Sequence, residues 1–235
     1  FREFPVWRKA FYDDYAARNA AFISIAAANP DIFSDVDPKR LTDASMASGK
    51  ALMDYRARLM SNKNTWCVVS VPTTAWACKV FPDCSSEEAI EKLWVAILSA
   101  ARISETESPI SAWHAHIERL QKTTAVLNAQ AFTELHYRNG LGTDLRIALP
   151  EGHIWMGGAE HSAAGTLFAA NIPTEEVYTM PMRTGVNGTV FASKPLHYNG
   201  NLIRDFMLRF HEGKVVEYKA AHGENHLKEL LGTDE

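Results

Sequence analysis

The sequence predicts an α/β fold class, in which an N-terminal α/β layered region is followed by a β-rich α+β region with an antiparallel meander. Three observations support this prediction. Helical and strand-like patterns alternate through residues 1–107, a polar stretch without periodicity lies at residues 104–107, and short strands separated by turns dominate from Phe132 onward. We therefore expect two parts, an α/β region at residues 1–107 and a second region at residues 108–235 that opens with a linking helix.

The N-terminal region begins with an amphipathic pattern. Residues 5–19 carry Trp7, Phe11 and Tyr15 at positions i, i+4 and i+8, which is the spacing of one helix face. Residues 21–26 then form a short apolar run. This run predicts a buried strand, with a short helix as the alternative.

Two further helices are marked by their capping residues. Asp37 followed by Pro38 is typical of an N-cap and a first helical position, and it predicts a helix that runs to residue 60. Ser85 and Glu88 have the spacing of a capping box. Between these helices, residues 65–71 are rich in β-branched and aromatic residues and predict a fully buried strand. The helix after the capping box has an apolar stripe of Ala89, Ile90, Leu93, Trp94, Ile97 and Leu98.

The second region is predicted to hold one long helix and then mainly strands. Ser108-Pro109 starts a helix with Ile110, Trp113, Ile117, Leu120 and Leu127 as its apolar residues. The meander is predicted from strands at residues 189–198, 202–211 and 215–220, turns at Asn199-Gly200 and Glu212-Gly213, and a short closing helix at residues 222–231.

Composition narrows the class of protein. A hydrophobic fraction of 46% with 22% charged residues is that of a globular chain. The net charge of −4 gives no basic surface, so neither nucleic acid nor a membrane is an expected partner. Three cysteines without C-x-x-C spacing favour reduced thiols. We therefore expect a cytoplasmic location.

Two adjacent carboxylates, Glu175 and Glu176, precede a strand-like run at residues 177–180. Since neighbouring side chains of a strand point to opposite faces, only one of the two can face a given site. A metal-dependent hydrolase needs such oxygen ligands, usually together with histidines. From spacing alone, however, a solvated charge pair at a strand or turn edge is the favoured interpretation.

The histidines do not form a convincing metal site. His222 and His226 would lie on one face of a helix, but Gly223 stands where the zincin motif has glutamate, so we expect an unmetallated pair. His114 and His116 would point to nearly opposite sides of their helix, and we expect both to be surface or interface residues.

His153 and His161 flank residues 155–158 and are interpreted as packing residues, with substrate contact as the alternative. The chain contains no nucleophile elbow and no phosphate-binding glycine motif. The residues alone therefore predict an α/β and β-rich protein with a candidate carboxylate site.

Several segments in order resemble the M29 family of metalloaminopeptidases, the thermophilic aminopeptidase family. The resemblance is strong from about residue 131 to 235 and looser over residues 7–127. The segments that carry it are Gly142-Thr143-Asp144-Leu145, Leu149-Pro150-Glu151-Gly152, Asn171-Ile172-Pro173-Thr174-Glu175-Glu176-Val177, Arg183-Thr184-Gly185-Val186-Asn187-Gly188-Thr189 and Lys194-Pro195-Leu196-His197-Tyr198-Asn199-Gly200-Asn201.

The resemblance implies a two-metal exopeptidase that removes N-terminal residues from peptides with a metal-activated water. It implies divalent ions (Zn, Co, Mg or Mn), peptide substrates, a homodimer, and a metal shell of two glutamates, two histidines and an aspartate. Within this shell it implies Glu176, rather than Glu175, as a metal ligand, while no catalytic residue is assigned.

The remaining ligands of that shell are expected beyond residue 235. Residues 108–235 would then be the linking helix and the first part of the catalytic domain, and the chain alone is expected to be inactive. The alternative function is a non-catalytic binding or assembly module that uses the β meander as its interaction surface.

Overall fold

The computed structural model describes residues 2–27, 29–33, 35–198 and 201–232. Helices and sheets are mixed, and one sheet is antiparallel with several strands, which confirms the predicted fold class. The chain divides into a first unit, Phe1–Gln121 with Gly157–Glu176, and a second unit, Lys122–Met156 with Val177–Glu235. The boundary expected between residues 107 and 108 lies inside the first unit and stays a prediction.

The elements follow one another along the chain in a mixed order of helices and strands. They are α1 (Val6–Ala17), β1 (Phe22–Ala26), α2 (Pro38–Ala51), α3 (Met53–Met60), β2 (Trp66–Ser70), α4 (Thr74–Val80), α5 (Ser86–Ala100), α6 (Pro109–Gln130), β3 (Glu134–Arg138), β4 (Asp144–Ala148), β5 (Met156–Gly157), β6 (Glu160–His161), β7 (Leu167–Phe168), β8 (Val177–Tyr178), β9 (Val186–Phe191), β10 (Leu196–Tyr198), β11 (Asn201–His211), β12 (Lys214–His222) and α7 (Glu224–Leu231).

The first unit contains a small parallel sheet. β1 and β2 pair in parallel, with Phe22 opposite Trp66 and Ala26 opposite Ser70. The segment at residues 170–172 extends this sheet, because the Val68 amide donates to the Ala170 carbonyl at 2.8 Å and the Val68 carbonyl accepts from the Ile172 amide at 2.9 Å. The chain therefore leaves the sheet at the carboxyl end of β2, directly before Thr174.

Helix α5 begins as the sequence predicts. The Ser85 hydroxyl accepts from the Glu88 amide at 3.3 Å, and the Glu88 carboxylate accepts from the Ser85 amide at 3.1 Å, which confirms the capping box. Ala89 and Leu93 of α5 pack with Ala77 of α4 in a buried cluster. This cluster packs the first half of α5 against α4.

Two predictions for the first unit are wrong in detail. The helix expected at residues 37–60 is two helices, which meet at buried Leu52, three residues after Gly49. Glycine weakens a helix by about 1 kcal/mol relative to alanine. The expected buried strand is found as β1, but Ile23 and Ile25 are 73% and 61% exposed. An apolar pattern predicts a strand, but it does not show whether another element packs on the faces of that strand.

The second unit is built on the antiparallel sheet. Its strand order is β10-β11-β9-β4-β3, and β12 also pairs with β11. The first strand of the predicted meander is divided into β9 and β10, which both pair with β11. The turn at Glu212-Gly213 is confirmed, with φ of 49° and 79° at its two residues. The turn expected at Asn199-Gly200 lies outside the described residues. Among the helices that the structure describes, none combines the length and apolar character needed to cross a bilayer.

Candidate functional site

The candidate site lies where the chain leaves the parallel sheet of the first unit. Residues 171–176 line an open hollow of about 400 Å³ together with Val68 and Ser70 of β2. The peptide bond between Ile172 and Pro173 is cis. Ligands of α/β sheets bind at the carboxyl ends of the strands, which is the position of this hollow.

Glu175 is held by two arginines. Its carboxylate accepts a hydrogen bond from Arg102 at 2.5 Å and has a longer contact of 3.5 Å with Arg119. The hydrogen bond from Arg102 lowers the pKa of the Glu175 carboxyl, and the nearby charges of Arg102 and Arg119 act in the same direction. Glu175 is therefore an ionised, arginine-bound residue.

Arg102 reaches Glu175 from the end of α5. The Arg102 amide donates to the Ser99 carbonyl and the Ile103 amide to the Leu98 carbonyl, at 3.0 and 2.8 Å, which is the Schellman pattern of a helix end. Arg102 has a φ of 58°, at the position where glycine is usual. Its guanidinium lies over the ring of Trp113 at 5.6 Å from the centroid.

His116 of α6 is buried, with only 4% of its surface exposed. Its Nδ1 lies 2.9 Å from Arg119 Nη2, and its Nε2 lies 2.6 Å from the Thr174 carbonyl oxygen. Because arginine can only donate, Nδ1 is the acceptor and Nε2 carries the proton that is donated to Thr174. His116 thus fixes the backbone immediately before the two glutamates.

His116 was expected at the surface or at an interface, and the surface alternative is wrong, because the side chain is buried. His116 lies three residues after Trp113 and four residues before Leu120, both of which were assigned to the apolar face of this helix. That spacing places His116 on the same face and is the signal that could have identified it. His114, two residues earlier, is exposed.

Glu176 differs from its neighbour. Its side chain is exposed and lines the hollow, and it has no hydrogen bond or ion pair with any residue that the structure describes. The segment therefore presents one carboxylate that is bound by arginines and one that has no partner among the described residues.

A single free carboxylate has the oxygen chemistry of a metal ligand but cannot form a metal centre alone. Across residues 2–27, 29–33, 35–198 and 201–232, no group of three or more His, Cys, Asp or Glu side chains lies close enough to hold a metal ion. Glu176 thus fits one ligand position, and the described residues do not complete the site.

The remaining histidines named in the sequence analysis each have their own local surroundings. His222 ends β12 and His226 lies in α7, with Gly223 between them at a φ of 75°, so the two do not share a helix face. His153 contacts the Pro150 carbonyl at 3.0 Å and the edge of the Trp155 ring, as a packing residue does. His161 is exposed in β6.

Comparison with known proteins defines the class of this chain. A family model described as "Thermophilic metalloprotease (M29)" matches residues 1–235. This match places the protein among the metalloproteases. The chain belongs to the M29 family, and the resemblance seen in the sequence is confirmed.

The relatives are named as aminopeptidases. The chain is 47% identical over 235 residues to Aminopeptidase 2 of Geobacillus stearothermophilus and 44% identical over 235 residues to Aminopeptidase AmpS of Bacillus subtilis. It covers 56% and 57% of these proteins, and they cover 100% of the chain. The solved structure of wild-type AmpT from Thermus thermophilus superposes with a TM-score of 0.89 at 36% identity, over 100% of this chain and 57% of AmpT. The chain thus spans a little more than half the length of its relatives.

Proposed function

We propose that this chain is part of a metal-dependent aminopeptidase that removes N-terminal residues from peptides. The family and the names of the relatives support the peptidase class. The observation that carries the proposal is the free carboxylate of Glu176, on a segment whose preceding residues are bound by Arg102 and His116.

In this proposal Glu176, and not Glu175, is a metal ligand. Glu175 already accepts from Arg102, and a carboxylate that neutralises arginines is a poor competitor for a cation. The complete site would hold two divalent ions, with Zn, Co, Mg or Mn as the candidates. When bound, such ions supply an activated water and polarise the scissile carbonyl.

We further propose that the chain alone is inactive, since one carboxylate does not hold two ions. A homodimer and a cytoplasmic location belong to the same proposal for the whole protein. These statements concern the protein at the length of its relatives, to which residues outside this chain would contribute the other ligands.

The test is hydrolysis of leucyl-p-nitroanilide with added Co²⁺ or Zn²⁺, by this chain and by the protein extended to the length of its relatives. We expect activity only in the extended protein, and we expect Glu176→Gln to abolish it there. Activity of the chain alone would contradict the proposal, as would full activity of the Glu176→Gln variant. Activity in neither protein would favour the non-catalytic binding module.

A further inference from the structure

We propose that Arg102, Arg119 and Glu175 form an arginine clamp that positions Glu176 for metal binding. This inference rests on the proposed function of Glu176 and adds three positioning residues to it. None of the three is a ligand itself. The clamp acts by fixing the chain immediately before the ligand.

The clamp joins three parts of the first unit at one residue. Arg102 approaches Glu175 from the end of α5, at 2.5 Å, and Arg119 approaches it from α6, at 3.5 Å. His116, also on α6, lies 2.6 Å from the Thr174 carbonyl and 3.8 Å from the Glu175 carboxylate. Thr174 is therefore held through its backbone carbonyl, and Glu175 is held through its side chain.

The backbone of Arg102 indicates that its side chain is needed. Helices α1 and α3 end in the same pattern as α5, with Asn19 and Asn62 at the position where φ is positive. Asparagine tolerates this conformation, whereas arginine is strained in it. Strained backbone positions of this kind cluster at functional sites, where a side chain is needed although another residue would suit the backbone better.

A second contact keeps the Arg102 guanidinium in place. It lies over the ring of Trp113, whose indole nitrogen donates to the Ala101 carbonyl at 2.7 Å. The indole is thus anchored next to Arg102, where it packs against the guanidinium that contacts Glu175. Two contacts, one with an aromatic ring and one with a carboxylate, therefore hold the arginine side chain.

The clamp has two consequences for a cation at Glu176. It removes the freedom of the neighbouring backbone, so the ligand is already oriented before the ion arrives. It also occupies the Glu175 carboxylate, so the adjacent acid does not compete for the same ion. Loss of a residue that orients a ligand usually weakens metal affinity by about 10- to 100-fold.

The experiment uses the protein extended to the length of its relatives and the variant Arg102→Gly. Glycine suits the positive φ of this position, so the substitution removes the shorter arginine contact of the clamp without straining the helix end. We expect the melting temperature of the metal-free protein to stay close to that of the wild type. We expect Co²⁺ affinity to fall by about tenfold or more, kcat to fall with it, and KM for leucyl-p-nitroanilide to change little.

Two additional variants separate positioning from a general structural effect. Arg102→Lys keeps the charge and should restore part of the affinity, and Glu175→Ala should weaken affinity without adding to the effect of Arg102→Gly, because both break the same contact. The matched control is Arg209→Ala in the second unit, which breaks another exposed arginine–glutamate pair, at 2.9 Å from Glu217. It should leave Co²⁺ affinity and the visible spectrum of the bound Co²⁺ unchanged.

The outcomes distinguish this inference from the proposed function. If Glu176→Gln abolishes Co²⁺ binding while Arg102→Gly and Glu175→Ala bind as the wild type does, the clamp is refuted and the ligand assignment stands. If Glu176→Gln itself binds Co²⁺ normally, the ligand assignment fails and the clamp fails with it. Additive effects of Arg102→Gly and Glu175→Ala would also refute the clamp.

Discussion

Asn64 closes the end of helix α1 with its amide group. The side chain is 1% exposed and donates to the Ala16 and Ala20 carbonyls at 3.1 and 3.0 Å, while its oxygen accepts from Arg58 at 2.9 Å. The last carbonyls of a helix have no partner within it, so they need one from elsewhere. For the Ala16 carbonyl, Asn64 and Arg58 both donate from a distant part of the chain.

We expect Asn64→Ala to lower the free energy of unfolding by about 2–3 kcal/mol, because it removes the hydrogen bonds of a buried side chain with Arg58 and with the Ala16 and Ala20 carbonyls. Urea unfolding followed by circular dichroism measures this change. Asn29→Ala is the matched control, since Asn29 is exposed and its side chain accepts from the neighbouring Asp31 amide at 3.1 Å. Its effect should stay within about 0.5 kcal/mol, and equal losses in the two variants would contradict the capping role.

Glu217 offers a test of residue-scale electrostatics away from the candidate site. Hydrogen bonds from Arg209 and then from Lys219 lower the pKa of its carboxyl below the ordinary value of 4.5. A carboxyl whose pKa is lowered in the folded state adds stability above its unfolded pKa, and this is lost as the pH falls through the folded pKa. Carboxyl-carbon NMR titration should show the pKa of Glu217 rising toward 4.5 in Arg209→Ala. An unchanged pKa would refute the pairing.

At the residue scale, local rules predicted the two glutamates but not their partners. Because two adjacent carboxylates precede a strand, the sequence predicts that only one of them faces a given site. Arg102 and Glu175 are 73 residues apart in sequence, and His116 and Thr174 are 58 apart. Contacts of this kind depend on packing between elements, and no single-sequence pattern encodes them.

At the element scale, the turn between β11 and β12 requires glycine for two reasons. Gly213 has a φ of 79°, and a Cβ atom there would lie 1.8 Å from the carbonyl oxygen of Arg183. The Gly213 amide also donates to the Val186 carbonyl at 2.9 Å. The turn therefore packs directly on the chain that leads into β9.

We expect Gly213→Ala to destabilise the protein by more than about 2 kcal/mol, because strain at positive φ adds to a backbone overlap. Gly152→Ala isolates the strain, since Gly152 has a φ of 75° with no atom within 4 Å of the added Cβ. That control should cost about 1 kcal/mol. Thermal unfolding of both variants gives the difference, and equal losses would show that the close approach to Arg183 is unimportant.

The elements that were predicted well are those fixed by neighbours in sequence. The capping box of α5 and the turn at Glu212-Gly213 depend on residues within a few positions, and both are confirmed. The placement of β9 between β11 and β4 depends on pairing across the sheet, which turn signals do not specify. The break at Leu52, three residues after Gly49, likewise interrupts an apolar pattern that continues through both helices.

At the scale of the whole molecule, the surface of the chain carries large apolar side chains on one helix. Trp7, Phe11 and Tyr15 of α1 are 72%, 51% and 42% exposed, and they occupy successive turns of one face. Isolated exposed apolar residues are ordinary, but a contiguous stripe of aromatic residues is typical of an interaction surface.

We therefore expect the chain in isolation to self-associate through this stripe, and we expect Trp7→Lys with Phe11→Lys to weaken the association. Each large side chain buried in a contact contributes about 1.5–3 kcal/mol, so the double variant should raise the dissociation constant by at least about tenfold. Sedimentation velocity over a wide range of concentration measures it. Ile110→Lys is the matched control, because Ile110 is 70% exposed on a different helix. Equal weakening by Ile110→Lys would mean that added charge, and not the aromatic stripe of α1, controls association.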